Sequence, residues 1–310
     1  MSSSPAREVA PLRPSDSPPA CSPPGDSPPS GVADRRWRRL RRVLRRPATA
    51  LSALAAAVIG VCALLPATVA PYGLHAGDPA EALLPPGSGH LFGTDQLGRD
   101  LFSEIVWGAR PSLQVSLLAT VLALVTGTLA GLVAGYFGGV VDGLVMRVVD
   151  VLMAIPTMLM ILVVIAVLGA GTVNISIAVA VAAVPTFARV MRAEVLRVRT
   201  RLYVRAALAA GVRTHVVLLR HVIPNSAAPV LSYAVLAVGG SLLATSGLSF
   251  LGFGAPPPNA EWGALAAAGR DYVGTAWWLT TFPGLMVVLT VLAATGLSQT
   301  RPEGTAAVPR

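Results

Sequence analysis

Lysine is absent from this sequence: all 24 basic residues are arginine. A phosphate-binding P-loop needs the lysine of its Gly-x-x-x-x-Gly-Lys-Ser/Thr signature, because that ammonium group contacts the β- and γ-phosphates. The chain therefore has no Walker A motif. We expect it to be no nucleotide hydrolase, to contain no catalytic residue and to bind no cofactor of its own.

Charged residues of either sign are scarce. They make up 13% of the chain, about half of the ~25% typical of soluble domains, whereas 54% of the residues are hydrophobic. So much apolar surface cannot be hidden in one water-soluble core, and the composition predicts a membrane protein. Cys21 lies in a polar tail and Cys62 in an apolar stretch, which argues against a disulfide. His75 and His90 lack a ligand-like spacing, so we expect no metal site.

Long stretches without a single Asp, Glu, Arg or Lys divide the chain. A spanning helix needs about 20 mostly apolar residues, and each stretch can hold one. The third is long enough for two, joined by the turn sequence "LGAGTVN". The sequence thus predicts an all-α, polytopic membrane protein with about six transmembrane helices, drawn from residues 47–77, 111–141, 151–188, 222–260 and 272–300.

The same stretches contain no carboxylate. Proton-driven secondary transporters tend to place ionisable groups within their spans, so this pattern weakens that function class. Sodium coupling can rely on backbone carbonyls instead. An ion-driven secondary transporter therefore stays open as an alternative, and so does a membrane scaffold that transports nothing.

Arginine is distributed unevenly between the predicted loops. Ten arginines lie in residues 1–46 and eight in residues 189–220, but only two in residues 71–110. The positive-inside rule therefore places both termini and the 189–220 loop in the cytoplasm, and residues 78–110 outside.

The two ends of the chain differ from its middle. Residues 1–46 are rich in Ser, Pro and Arg and cannot bury enough surface to fold, so we expect a disordered cytoplasmic tail. Its arginine cluster is best interpreted as an anchor on anionic lipid, rather than as a nucleic-acid site. The transmembrane domain covers residues 47–300, and residues 301–310 form a second cytoplasmic tail.

One predicted span has a small residue at every fourth position, which places these residues on one face of a helix. Small side chains let two membrane helices approach closely. We therefore expect tight packing on this face, against another helix of the chain or of a partner, at Ala119, Ala123, Gly127, Gly131 and Gly135.

The 189–220 loop is too long for a simple connector and too apolar for a solvated tail. Its apolar residues recur at helical spacing, Gly211 tolerates a tight turn, and Pro224 suits the first turn of a helix. The pattern predicts a helix, a glycine turn, a helix and then the next span. Ala206 and Ala207 would let another protein surface come close, but an amphipathic helix lying on anionic lipid fits the same residues.

The stretch "RAALAAGVRTHVVLLRHVIP" resembles the cytoplasmic loop motif of ABC-transporter permeases. That motif runs Glu-Ala-Ala, three residues, Gly, nine residues and an ending in Pro. Arginine stands here in place of the Glu, and the Arg-His-x-x-Pro-Asn form is similar to the peptide/nickel (dipeptide/oligopeptide) subfamily. The resemblance implies an ATPase-coupling loop made of Arg205, Ala206, Ala207, Gly211, Arg220, His221, Pro224 and Asn225.

Four further stretches resemble motifs of the same subfamily, in the same order. They are "FGTDQLGRDLFSEIVWGARPSL", "AGYFGGVVDGLVMRVVDVLMAIP", "LSFLGFGAPPPNAEWGAL" and "FPGLMVVLTVLA". The resemblance covers residues 91–293, the core of the permease domain. Thr245 stands where the family usually has Glu, and the ending "ATGLSQTRPEGTAAVPR" departs from the family pattern.

The first of these stretches lies before the second predicted span, on the predicted outer side. Asp95 could cap the helix that begins there, because an acidic side chain suits a helix start. We expect a structural role, or contact with a binding protein, rather than direct contact with solute for Gly93, Thr94, Asp95, Gly98, Arg99 and Asp100.

The resemblance also implies a function and partners. Permeases of this family work in pairs, usually of two different chains, bound to two ATP-binding subunits and fed by an external solute-binding protein. The loop containing Gly211 would be the coupling helix, seated in a groove of an ATP-binding subunit that itself binds the ATP. The implied function is the permease subunit of an ATP-driven importer for dipeptides, oligopeptides or a similar small solute across the cytoplasmic membrane.

Overall fold

The computed structural model of the protein describes most of the predicted transmembrane domain, namely residues 47–74, 76–169, 171–254 and 261–299. Both predicted tails, residues 1–46 and 301–310, lie outside the described residues, and so does His75.

Helices joined by short loops make up the described ranges. In chain order they are α1 Pro47–Leu64, α2 Pro66–Val69, α3 Leu101–Phe137, α4 Gly139–Ala154, α5 Thr157–Leu168, α6 Thr172–Arg199, α7 Leu202–Ala209, α8 Thr214–Val217, α9 Ile223–Leu248, α10 Trp262–Ala268 and α11 Trp278–Ser298. Short 3-10 turns lie at Pro79–Glu81 and Arg270–Tyr272, and π-helical turns at Leu218–Val222 and Ser249–Phe253. The β structure of the described residues is limited to two isolated bridges. The predicted all-α class is confirmed.

Four described helices are long and apolar enough to cross a membrane: α3, α6, α11 and the 40-residue helix Thr214–Phe253, in which α8, α9 and both π-helical turns follow one another. α4 and α5 together give a fifth span, broken by a bend of 96°. α1 coincides with the first predicted span and, at 18 residues, is near the lower limit of roughly 17 for a crossing. The predicted polytopic membrane fold is confirmed, and six spans are reached when α1 is counted with these five.

The small-residue face of α3 lies against α6. A Cβ added to Gly127 would lie 2.6 Å from the Val184 carbonyl oxygen, and one added to Gly131 would lie 2.2 Å from that of Ala188. A Cβ on Gly135 would meet the Cβ of Val195 at 3.0 Å. Both alanines of the face, Ala119 and Ala123, are fully buried. Only small residues fit at this distance between two helices.

These contacts advance in the same direction along both helices, so α3 and α6 run parallel. Gly127 lies beside Phe187, and Gly135, two turns later, lies beside Val195. Two parallel neighbours start on the same side of a membrane. The chain between them, α4 and α5, must therefore return across it, which agrees with counting the bent pair as one span.

Pro156 separates α4 from α5. Proline has no N–H and disfavours the helical conformation in the residue before it, and Ile155 is extended at φ −87° and ψ 129°. The two uncharged stretches 111–141 and 151–188 leave residues 142–150 between them, where a short loop with Asp142 and Arg147 would be expected, but both residues lie within α4. Arg192 of α6 donates two hydrogen bonds of 2.5 Å to the Asp142 carboxylate, so the charge is matched without a loop.

Pro224 lies in the first turn of α9, as predicted, but no break precedes that helix. The N–H of Ile223 donates to the carbonyl of Leu218, which is the i→i−5 bond of a π-helical turn. A π-helical turn locally changes the hydrogen-bond ladder. It lets the helix continue from Thr214 into α9 although proline supplies no N–H.

Each long helix also contains an internal proline. A proline inside a helix removes one rung of the hydrogen-bond ladder. The four positions are Pro111 in α3, Pro185 in α6, Pro229 in α9 and Pro283 in α11.

Candidate functional site

The 201–222 segment lies beside the end of α3 and consists of α7, the turn at Gly211, α8 and the π-helical turn. Its inner side is anchored by three buried valines, Val204, Val217 and Val222, which belong to one apolar cluster with Val198 of α6. The segment is therefore held on the spans by one face and exposes the other.

The exposed face of α7 is apolar and basic. Leu202 is 82% exposed and Leu208 is 47% exposed. Four arginines of the segment are exposed and pair with no carboxylate among the described residues: Arg201, Arg205, Arg213 and Arg220. Of the residues predicted for the coupling loop, Ala207 and His221 are partly buried, and the exposed ones are Arg205, Ala206, Gly211, Arg220, Pro224 and Asn225.

Gly211 closes α7 in the left-handed conformation, at φ +78°. Its N–H donates to the Leu208 carbonyl at 3.0 Å, and the N–H of Val212 donates to the Ala207 carbonyl at 3.1 Å. These bonds satisfy carbonyls at the end of α7 that have no partner within the helix. A Cβ at Gly211 would meet nothing within 4 Å. Within this chain the need for glycine therefore comes from the backbone conformation and not from crowding.

The Arg-His-x-x-Pro-Asn motif has a local structural basis. The side-chain amide of Asn225 donates to the His221 carbonyl at 2.6 Å. The His221 ring lies 6.1 Å from the ring of Tyr203 in α7. Asn225 thus supplies a side-chain donor one residue after Pro224, which has no N–H, and His221 lies against the helix that precedes the glycine turn.

Two residues that the sequence did not single out connect this segment and α6 to α3. The Tyr136 hydroxyl donates to the Thr214 carbonyl at 2.7 Å, and Arg199 Nη1 donates to the Gly135 carbonyl at 2.7 Å. Both acceptors are backbone carbonyls, which every residue has, so the sequence contains no complementary pair of side chains that would predict these hydrogen bonds. The available signal was a tyrosine at the end of a predicted span, in "AGYFGG".

The 78–100 segment, which precedes α3, requires glycine at two positions. Gly93 and Gly98 have φ of +78° and +71°. A Cβ on Gly98 would lie 1.7 Å from the Asp78 carbonyl oxygen, and one on Gly93 would lie 2.6 Å from that of Leu84. Left-handed backbone and close approach both exclude larger residues here.

Asp100, and not Asp95, caps α3. Asp100 directly precedes the helix, and its carboxylate accepts from the N–H of Ser103 at 2.8 Å. The prediction for Asp95 is wrong because a capping residue must lie next to the first helical residue, and Asp95 lies too far before Leu101. Asp95 instead closes a turn, accepting from the N–H of Arg99 at 2.9 Å and from its Nε at 2.7 Å.

Two tryptophans fasten this end of the molecule. Thr94 is fully buried, and its carbonyl accepts from Trp278 Nε1 at 3.2 Å. Trp262 is likewise fully buried, and its Nε1 donates to the Ile105 carbonyl at 2.8 Å. The six predicted residues of the motif therefore lie on one loop that is tied to α11, next to a contact between α10 and α3.

His90 lies between two carboxylates of the 78–100 segment. Its Nδ1 is 2.9 Å from Asp100 and its Nε2 is 3.3 Å from Glu81. The hydrogen bond to Asp100 raises the pKa of His90 above its usual value; partial burial opposes this, and Glu81 adds to the rise. Among the described residues, no group of three His, Cys, Asp or Glu side chains is placed to hold a metal ion.

Glu261 is a buried carboxylate that the sequence did not assign to a site. It is 5% exposed and accepts a hydrogen bond of 2.9 Å from the Ser249 hydroxyl. Burial raises the pKa of the Glu261 carboxyl, and the bond from Ser249 offsets part of that rise. The residue directly precedes α10, so we assign it to the positioning of that helix.

Comparison with known proteins places this arrangement in a family. Residues 127–299 match the family described as "Binding-protein-dependent transport system inner membrane component". The chain is similar to the di/tripeptide transport system permease protein of Pseudomonas aeruginosa, with 39% identity over 247 residues, 76% of this chain and 80% of the relative. It is also similar to the dipeptide transport system permease protein of Escherichia coli K12, with 42% identity over 236 residues, 73% of this chain and 77% of the relative. These matches confirm the resemblance that the motifs predict: the chain belongs to the family of binding-protein-dependent transport system inner membrane components.

Proposed function

We propose that the chain is the permease subunit of an ATP-driven ABC importer that takes up dipeptides or oligopeptides. The observation that carries the proposal is the 201–222 segment, whose α7 exposes apolar and basic residues beside the ends of α3 and α6. The similar proteins of Pseudomonas aeruginosa and Escherichia coli are peptide permeases by name, which supports the choice of solute.

ATP hydrolysis is proposed for partner subunits. The chain has no lysine for a P-loop, and its exposed glycine turn fits a surface that docks onto another protein. The arginines beside α7, which pair with no carboxylate in the described part of the chain, favour a groove that carries carboxylates. Two ATP-binding subunits and a second permease chain, arranged as a heterodimer, complete the proposed complex.

The proposed orientation follows from the arginines. Eight of them lie in residues 189–220, and the positive-inside rule favours the cytoplasm for that region and for both termini. The 78–100 segment then faces outward, where a solute-binding protein would deliver the peptide. The loop is held against α11 by the hydrogen bond from Trp278, which makes it a suitable surface for binding the solute-binding protein.

Uptake by the reconstituted complex tests the proposal. Proteoliposomes holding this chain, the second permease and the ATP-binding subunits would be supplied with the binding protein and a labelled dipeptide. We expect uptake that requires ATP on the side of the membrane where the ATP-binding subunits lie. This uptake should persist when ionophores collapse the ion gradients. Uptake driven by an ion gradient in the absence of ATP would favour an ion-driven transporter. ATP hydrolysis by the complex without uptake of the labelled dipeptide would favour another solute.

A further inference from the structure

We infer that Tyr136 and Arg199 form a polar clamp that positions the 201–222 segment on the ends of α3 and α6. The two residues donate to backbone carbonyls, so we assign them as positioning residues. The inference rests on the proposed function, because the clamp would transmit movement between the docked segment and the spans.

The clamp is a continuous chain of three contacts. Tyr136 donates its hydroxyl proton to the Thr214 carbonyl at 2.7 Å. The Arg199 guanidinium carbon lies 5.8 Å from the centroid of the Tyr136 ring, within the ~6 Å range of a cation–π contact. Arg199 also donates to the Gly135 carbonyl at 2.7 Å. Three elements that are distant in sequence, α3, α6 and α8, therefore meet at two side chains.

The Arg199 end of the clamp suits the chemistry of a helix terminus. Gly135 lies in the last turn of α3, where carbonyls lack partners within the helix. A guanidinium there satisfies one of them and lies favourably at the negative end of the helix dipole. Gly135 also lies close to α6, since a Cβ would meet the Cβ of Val195 at 3.0 Å. The end of α3 is thus held against α6 at Gly135, and the next residue, Tyr136, contacts the 201–222 segment.

Tyr136 contacts the segment directly after its turn. Thr214 is the first residue of α8 and follows Gly211 by three positions. The other contacts described for the segment are apolar and involve the buried valines Val204, Val217 and Val222. Apolar contact is non-directional, whereas a hydrogen bond has a defined direction. The hydroxyl bond is therefore a directional contact between the end of α3 and the first residue of the continuous helix Thr214–Phe253.

Replacing Tyr136 by phenylalanine tests the clamp with a change of one oxygen atom. The ring, its apolar contacts and the cation–π contact remain, so we expect normal membrane level and normal co-purification of the ATP-binding subunits. Loss of one such hydrogen bond shifts a two-state equilibrium about twofold to tenfold. We expect the number of peptides imported per ATP hydrolysed to fall by that factor, while ATP hydrolysis continues.

Two further variants separate the clamp from a general loss of stability. Thr126→Ala removes an exposed α3 hydroxyl that donates to the Leu122 carbonyl of its own helix, so its import per ATP should equal wild type. Arg199→Lys can still donate to the Gly135 carbonyl and should keep more coupling than Arg199→Ala. Wild-type import per ATP in Tyr136→Phe, or an equal loss in Thr126→Ala, would overturn the inference.

A distance measurement tests the clamp itself, and its result can be compared with peptide import by the same complex. Spin labels would be placed at Leu202, which is 82% exposed in α7, and at Val140, which is 87% exposed just after α3. The chain would carry Cys21→Ser and Cys62→Ala, in the full complex. We expect one dominant distance in the parent and a second, broader population in Tyr136→Phe. Identical distributions would overturn the clamp, whereas a changed distribution in a complex that imports no peptide would support the clamp and overturn the proposed function.

Discussion

Gly211 has room for a side chain, but its backbone conformation is unfavourable for most residues other than glycine. At φ +78° a β-branched residue costs about 1–3 kcal/mol, although no atom within 4 Å would obstruct a Cβ. We expect Gly211→Val to reach the membrane at wild-type level, yet to lose about tenfold or more in ATP-binding-subunit association and in peptide uptake. Co-purification and uptake, both normalised to membrane level, measure the effect.

The matched control for this substitution is Gly211→Asn. Asparagine enters the left-handed region far more readily than valine and should keep most of the association. If valine and asparagine both behaved as wild type, the turn would not lie at the partner contact, and a segment resting on lipid would account better for the loop.

His90 gives the 78–100 segment a dependence on pH. Asp100 and, more weakly, Glu81 raise its pKa in the folded protein, so the protonated ring is stabilised by folding. That contribution to the free energy of unfolding is complete below the ordinary pKa of about 6.5. It is lost as the pH rises through the folded-state pKa.

We therefore expect the purified protein to melt at a higher temperature at pH 6 than at pH 8.5, by an amount that His90→Gln reduces. Thermal unfolding at both pH values measures the difference for the two proteins. Glu81→Gln should reduce it less than His90→Gln does. An identical pH dependence in His90→Gln and wild type would show that another group is responsible.

Single residues differ in how far the sequence alone reveals them. The turn at Gly211 was predictable because a glycine between two helical patterns is the position where the chain can reverse with the least strain. The cap of α3 was misplaced because two aspartates precede the helix, and only the fold shows that Leu101 is its first residue. Tyr136 was not predictable, since its partner is a carbonyl of Thr214, 78 positions later.

The contact between α3 and α6 leaves no room for a larger residue at Gly131. A Cβ on Gly131 would lie 2.2 Å from the Ala188 carbonyl oxygen, which is backbone and cannot rotate away. We expect Gly131→Ala to force the two helices apart at a cost of about 1–3 kcal/mol. Thermal unfolding in detergent should show a lower melting temperature.

Gly240→Ala is the matched control for that substitution. It is also a glycine within a long helix, α9, but a Cβ there would meet nothing within 4 Å. It should melt at or slightly above the wild-type temperature, because alanine favours helix over glycine. A wild-type melting temperature for Gly131→Ala would mean that α3 and α6 do not pack this closely.

The positions of the helices were predictable where they depend on composition. They were less predictable where they depend on the hydrogen bonding of a single backbone group. The apolar windows marked the spans, because length and hydropathy suffice for that. The 96° bend between α4 and α5 and the continuous helix through Pro224 were not apparent. In one case the proline breaks the helix, and in the other a π-helical turn absorbs it, and the choice depends on packing.

The orientation of the whole molecule can be tested with single cysteines in a chain that lacks Cys21 and Cys62. Asp78 is exposed, and the side chain of Asp271 is 80% exposed. In intact cells we expect a membrane-impermeant thiol reagent to label cysteine at both positions. Cysteine at Leu202 should react only after the membrane is opened. Labelling of Leu202 from outside intact cells would reverse the orientation inferred from the arginines.

Internal prolines give the bundle a mechanical property. Each of α3, α6, α9 and α11 lacks one hydrogen bond near its proline. A helix bends most easily at such a position, so each of the four consists of two segments whose relative angle can change. A displacement of the 201–222 segment can then be accommodated by bending of these helices at their prolines. The tightly fitted glycine contacts of α3 and α6 need not slide, so the molecule can alter its shape while keeping its closest packing intact.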